Sequence, residues 1–124
     1  LWVSVGNVDY KKLGEDGDNK SEQSEKIKTR VTKAREIQKK RFEKAGRNIN
    51  TNSEMNVKDL SGIVKLTREV RDLLDDSAEH LALSARAYHR VIKIARTIAD
   101  LDDSEEVNSN HILEAIQYRP KVNF

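Results

Sequence analysis

Ser84, Arg86 and Arg90 are the residues of this chain whose types and spacing most directly suggest chemistry. They lie in the segment Leu83-Ser84-Ala85-Arg86-Ala87-Tyr88-His89-Arg90. A serine ahead of a helical run accepts a hydrogen bond from a free first-turn amide, so Ser84 caps a helix that puts Arg86 in its first turn. Unpaired amides at a helix start attract anions. An arginine there opposes the helix dipole and adds nothing to helix stability. Arg86 and Arg90 are four apart, so they share one face, off the Ala87–Val91–Ile94–Ile98 stripe. Two arginines stacked at a helix start fit a phosphate partner. A surface salt bridge is the other reading of the same pair.

A second cationic feature lies upstream. Lys26, Lys28, Arg30, Lys33, Arg35, Lys39, Lys40 and Arg41 surround an apolar stripe, with Lys44 and Arg47 just beyond. Such a surface neutralises phosphates along nucleic acid, and Lys33, Lys39, Lys40 and Arg41 are the candidate DNA contacts. No aromatic residues are interleaved for base stacking, since Phe42 falls on the apolar stripe. A solvated helix face is the alternative, because charge alone is weak evidence for a partner.

Other chemistries find no support in the spacing. No G-x-x-x-x-G-K-[ST] phosphate loop occurs, and Gly14 and Gly17 sit in an acidic stretch that repels phosphate. His80, His89 and His111 fall on different helices without H-x-x-x-H or H-E-x-x-H pairing, so no metal site is assigned, and they read as partly exposed helix residues. A calcium loop starting at Asp100 would need Gly at its sixth position and Glu at its twelfth. Glu105 and His111 stand there instead, so Asp100–Glu106 reads as a solvated turn. The absence of cysteine removes disulfides, thiolate metal sites and a cysteine nucleophile.

The elements that position these residues are helical. A first helix is expected from about Ser24 to Glu43, with Ile27, Val31, Ala34, Ile37 and Phe42 recurring on one face. Gly and Asn in residues 45–52 end it. A short helical turn follows around Val57–Leu60. The next helix starts after Thr67, with Val70, Leu73, Leu74, Ala78 and Leu81 on one face. Another starts at Ser84 and carries Ala87, Val91, Ile94, Ala95, Ile98 and Leu101. The last starts near Asn108, presents Ile112, Ala115 and Ile116, and ends at Pro120. The last three helices form the expected core. Leu1–Val5 is rich in strand-formers but finds no second strand to pair with, so it reads as a frayed strand. Gly14–Lys26 contains no apolar residue and reads as a linker. The expected class is mainly α, a small helical bundle divided as strand and loop 1–13, linker 14–23, basic helix 24–47 and bundle 48–124.

Composition bounds the rest. The chain has 124 residues, with 23 Lys and Arg against 21 Asp and Glu. One domain with a modest core is possible, and a large enzyme with a deep cleft is not. The near-neutral total hides a segment 26–47 with 10 basic and 2 acidic residues. No apolar run exceeds three residues, far short of the ~18 that span a membrane. No signal peptide is visible, and a cytoplasmic location is expected. Leu at position 1 suggests a piece of a longer chain.

Leu83–Leu101 (LSARAYHRVIKIARTIADL), Ser104-Glu105-Glu106-Val107, His111 and Glu114–Arg119 (EAIQYR) together resemble the C-terminal lid of ComM-type, magnesium-chelatase-like AAA+ ATPases. Arg30-Val31, Ala34–Gln38 and Arg41-Phe42 are similar to the helix before that lid. Leu1–Val5 with Tyr10–Leu13 is similar to the strand and loop after the ATPase core.

The resemblance implies a lid that packs on an upstream ATP-binding core and reports nucleotide state. Its sensor-two arginine corresponds to Arg86, with Arg90 in support, and whether it acts in cis or in trans stays open. The Walker motifs would precede this chain, so ATP and Mg belong to the parent protein and the chain alone is neither an enzyme nor a cofactor carrier. The implied partners are the chain's own upstream core, neighbouring subunits of a ring and DNA, as in relatives linked to branch migration. Others of similar core insert magnesium into porphyrins. A reading from another class is an autonomous helical nucleic-acid-binding module centred on residues 26–47.

Overall fold

A computed structural model describes residues 1–6 and 18–119 of the chain. Among them are five α-helices, one 3-10 turn and no strand. The helices are α1 (Asp18–Lys44), α2 (Val57–Ile63), α3 (Arg68–His80), α4 (Ala85–Leu101) and α5 (Ser109–Gln117), with the 3-10 turn at Asn52–Glu54. The mainly α bundle expected from the periodicity is what forms.

Local signals set most boundaries. The Thr67, Ser84 and Asn108 side chains each accept a backbone hydrogen bond from the third residue onward, closing the starts of α3, α4 and α5. Asn56 and Asp59 cap α2 reciprocally. Gly46, at φ +73°, ends α1 while the Arg47 amide donates to the Phe42 carbonyl at 2.9 Å. This is the left-handed glycine termination that frees a chain to turn. The same hydrogen-bond pattern ends α3 at Ala82 (φ 51°) and α4 at Asp103 (φ 54°), without glycine at either place.

One expectation about the N-terminal half is corrected. α1 starts at Asp18, so residues 18–23 of the expected linker are helical. Asp18–Glu25 lacks apolar residues but contains Lys, Gln and Glu, which favour helix. Residues 14–17 lie outside the described residues, as does Pro120. Leu1–Val5 forms no ladder, as befits a strand without partners. Its one backbone tie is Trp2 N–H to the Tyr118 carbonyl, 2.9 Å.

The core draws on more than the last three helices. Leu74 of α3, Val91, Ala95 and Ala99 of α4, and Ile112 and Ala115 of α5 are buried together with Val107. Phe42 of α1 is completely enclosed, and Met55, Leu60 and Val64 join it. Burying one such side chain stabilises by ~1.5–3 kcal/mol. The C-terminal half of α1 is therefore part of the bundle, while Gln23–Arg30 is exposed. On α4 the buried face runs through Val91, Ile92, Ala95 and Ala99. Ile94, Ile98 and Leu101, expected in the core stripe, are only half-buried. A 17-residue helix with apolar residues on two faces satisfies both periodicities, and packing against α5 and α1 selects between them.

Candidate functional site

The start of α4 carries Arg86 and Arg90 on its exposed side. Ser84 Oγ accepts the Ala87 amide at 3.1 Å, and no acidic residue stands in the first turn to meet the dipole. Among the described residues neither arginine makes an ion pair, so the surface salt bridge does not form. Both border a hollow of about 150 Å³ that also touches Arg119 and Tyr118 at the end of α5. The two helix termini thus bring three guanidinium groups to one depression. Arg119 was not singled out by the sequence, because the contact joins the start of one helix to the end of another.

The other candidate residues separate. Lys39 and Lys40 are exposed on α1, and Lys33 is exposed with its Nζ 3.1 Å from Asp103. Arg41 is different. Its guanidinium turns inward and holds both carboxylate oxygens of Asp100, with Nη1 3.1 Å from Oδ2 and Nη2 on Oδ1. Arg41 is thereby withdrawn from the cationic surface assigned to DNA. Charge counting groups it with its neighbours, but a single residue step of about 100° separates the exposed Lys40 from the packed Arg41.

Asp100 corrects the solvated-turn reading as well. It is 2% exposed and accepts from Arg41, from Arg96 Nε at 3.2 Å and from Asn52 Nδ2 at 2.9 Å. Arg96 continues to the Ser104 and Glu105 carbonyls at 2.7 and 2.9 Å. Asn52 in turn reaches Thr97 Oγ1, and its amide donates to Gln38 Oε1 at 3.1 Å. Burial pushes the Arg96 guanidinium below its ordinary pKa, with Asp100 acting against that shift and Arg41 adding to it. Two cations on one buried carboxylate hold α1, the 3-10 turn, α4 and the loop after α4 in one arrangement.

His111 also departs from expectation. It is 3% exposed, and its Nδ1 accepts the Asn108 amide at 3.0 Å, closing a capping box on α5. Nε2 then carries the proton and donates to Asp102 Oδ2 at 3.1 Å. Tyr88 Oη donates to Asp75 at 2.7 Å and ties α3 to α4. Burial, then Asp75, raises the Tyr88 pKa above the ordinary phenol value.

The described residues thus form a helical bundle with a cationic hollow where the start of α4 meets the end of α5. The chain belongs to the family described as magnesium chelatase, subunit ChlI C-terminal, whose model matches residues 21–119. It is 37% identical over 122 residues to the competence protein ComM of Haemophilus influenzae, covering 98% of this chain and 23% of that protein. It is 39% identical over 98 residues to the protein YifB of Escherichia coli, covering 79% of this chain and 18% of the relative. The YifB of Salmonella typhimurium is 34% identical over 101 residues, 82% of this chain and 19% of the relative. The chain thus spans less than a quarter of the length of these relatives.

Proposed function

We propose that this domain is the C-terminal lid of a magnesium-chelatase-like AAA+ ATPase and that Arg86 reaches the nucleotide phosphates held by the upstream core. The supporting observation is the exposed Arg86–Arg90 pair at the start of α4, without an acidic partner among the described residues. Cations held at a helix start without a carboxylate nearby retain their full attraction for an incoming phosphate. Arg119 lies on the same hollow and adds to the field there. The magnesium ligands are assigned to the upstream core, since the side chains converging here are cationic and suit the phosphate oxygens. The parent protein is read as a ring-forming motor acting on DNA, in keeping with a relative named for competence.

The test compares the parent protein with and without this domain. Magnesium-dependent ATP turnover should be present in the intact protein, absent from the 124-residue chain alone, and lost when residues 83–119 are deleted. Full turnover after that deletion overturns the lid reading. Phosphate release by the isolated chain, above a mock preparation, overturns the assignment of chemistry to the core.

A second reading concerns α1. Lys33, Lys39 and Lys40 stand exposed on a helix whose far end carries further cations at Lys26, Lys28 and Arg30. That row suits weak, sequence-independent contact with a DNA backbone, either within the motor or as an autonomous module.

A further inference from the structure

Adjoining the cationic hollow, and sharing Arg90, Ile94 and Tyr118 with it, runs a groove of about 810 Å³ between α1, α4 and α5. It is lined by the half-buried stripe Ile94, Ile98 and Leu101 of α4, of which Ile94 and Ile98 pack against the edge of the core and keep part of their surface open. From Ile94 to Leu101 the stripe extends about 10 Å at 1.5 Å per residue, the length of two helical turns. Leu1 and Val3 border the groove yet remain 72% and 67% exposed, so among the described residues the N-terminal stretch 1–6 does not fill it.

The charges around the groove are unequal in a way that matters. Asp102 is held by His111, and Glu114 by the Tyr118 hydroxyl at 3.0 Å. On the opposite wall Arg30, Arg90 and Lys93 make no ion pair among the described residues; Lys93 reaches only the Ser53 carbonyl, at 3.4 Å. The carboxylates of the groove are engaged inside the domain, and its cations await partners.

We infer that this groove is a docking site for an acidic amphipathic helix of a protein partner. Its apolar residues lie on Ile94, Ile98 and Leu101, and its carboxylates meet Arg30, Arg90 and Lys93. The length and the single apolar stripe match recognition of a helix through anchors three and four residues apart. Nucleic acid fits the floor less well, because three aliphatic side chains offer no stacking face and phosphate contact has no need of an apolar strip. The inference is independent of the role given to Arg86.

The experiment uses two labelled synthetic peptides and the 124-residue chain, read by fluorescence anisotropy. Each peptide is a helix of about four turns with one leucine stripe; one carries glutamates on its flanks, the other lysines. The glutamate peptide should bind and the lysine peptide should not. Ile98→Asp should weaken binding at least about tenfold, as for removal of a central anchor. Arg30→Glu with Lys93→Glu, both away from the core, should reverse the preference, so that the test survives if the Ile98 variant fails to fold by circular dichroism. Equal binding of both peptides, or of neither, overturns the inference. So does an oligothymidine that displaces the glutamate peptide, which would make the groove a nucleic-acid site. Self-association of the chain that disappears in the charge-reversal variant would assign the groove to a second copy and equally overturn it.

Discussion

Asp100 is where the chain's buried charge meets. Removing one partner of a buried ion pair leaves the others desolvated and unmatched, which costs ~3–5 kcal/mol. Asp100→Ala, which strands both Arg41 and Arg96, should lower stability by about that amount in urea melts. A loss below ~1 kcal/mol, the range of exposed pairs, would show that the network contributes nothing beyond a surface bridge. The Arg96–Asp100 half of this network has the i,i+4 spacing of a helical pair, a signal that the solvated-turn reading of Asp100 passed over. The Arg41 half was not, because its partner lies 59 residues away and the surrounding lysines disguise it. A sequence count of charge cannot tell which charge already has a partner. The exposed Glu54 and the buried Asp59 act through simpler chemistry. Backbone amides of Asn50 and Thr51 hold Glu54 below the usual carboxylate range; the Asn56 amide, opposed by burial and then helped by Arg47, does so for Asp59. A depressed folded pKa gives stability that is present above the unfolded values, ~4.3 and ~3.9, and is lost as pH falls through the lower folded values. Urea melts from pH 7 down to pH 3 should therefore show an acid limb that flattens in Glu54→Gln and Asp59→Asn. An unchanged limb in both variants would assign the acid sensitivity to other groups.

Helix ends were the most legible elements, and one of them carries a prediction. Thr67, Ser84 and Asn108 were readable as caps because a short hydroxyl or amide before an apolar-periodic run has one obvious partner, the free amide three residues on. The end of α3 was less obvious, since it places Ala82 at φ 51° where a side chain is crowded against its own carbonyl. Ala82→Gly removes that crowding and should stabilise the chain by ~0.5–1 kcal/mol, less than the full left-handed penalty because glycine gains freedom when unfolded. A drop in melting temperature would mean that the alanine methyl packs usefully there. The two apolar faces of α4 were harder to assign. Ile94 and Ile98 are as hydrophobic as Ile92, and the choice between faces depends on α1 and α5, which no local window contains. The start of α1 was missed for the opposite reason, since an exposed helix needs no apolar stripe. That exposed helix supports a further expectation: DNA binding by the chain should be weak, salt-dependent and reduced by Lys39→Gln with Lys40→Gln, losing about one unit of salt slope per contact removed. Arg41→Gln should instead lower stability. Unchanged DNA affinity in the double lysine variant would move the contact elsewhere.

At the scale of the whole molecule, Arg86 and Asp100 occupy opposite ends of one helix. The Asp100 end is fixed by buried charge to α1 and to the loop after α4. The Arg86 end is free to meet something outside the domain. The substitution Arg86→Ala separates the proposed phosphate contact from folding. Its side chain is exposed and forms no ion pair among the described residues, so the melting of the 124-residue chain should change by no more than ~0.5 kcal/mol. Under the proposed lid function, the same change in the parent protein removes a preorganised donor from the place where charge develops on the transferring phosphate. Turnover should fall by ~10²–10³. Arg86→Lys should recover only part of it, since an ammonium supplies the charge without the planar fork that takes two phosphate oxygens at once. Arg90→Ala should cost less, being one turn further from the helix start. The decisive combination is a stable variant with slow turnover. A destabilised chain with near-normal turnover would make Arg86 a structural residue and leave the phosphate to groups outside this domain.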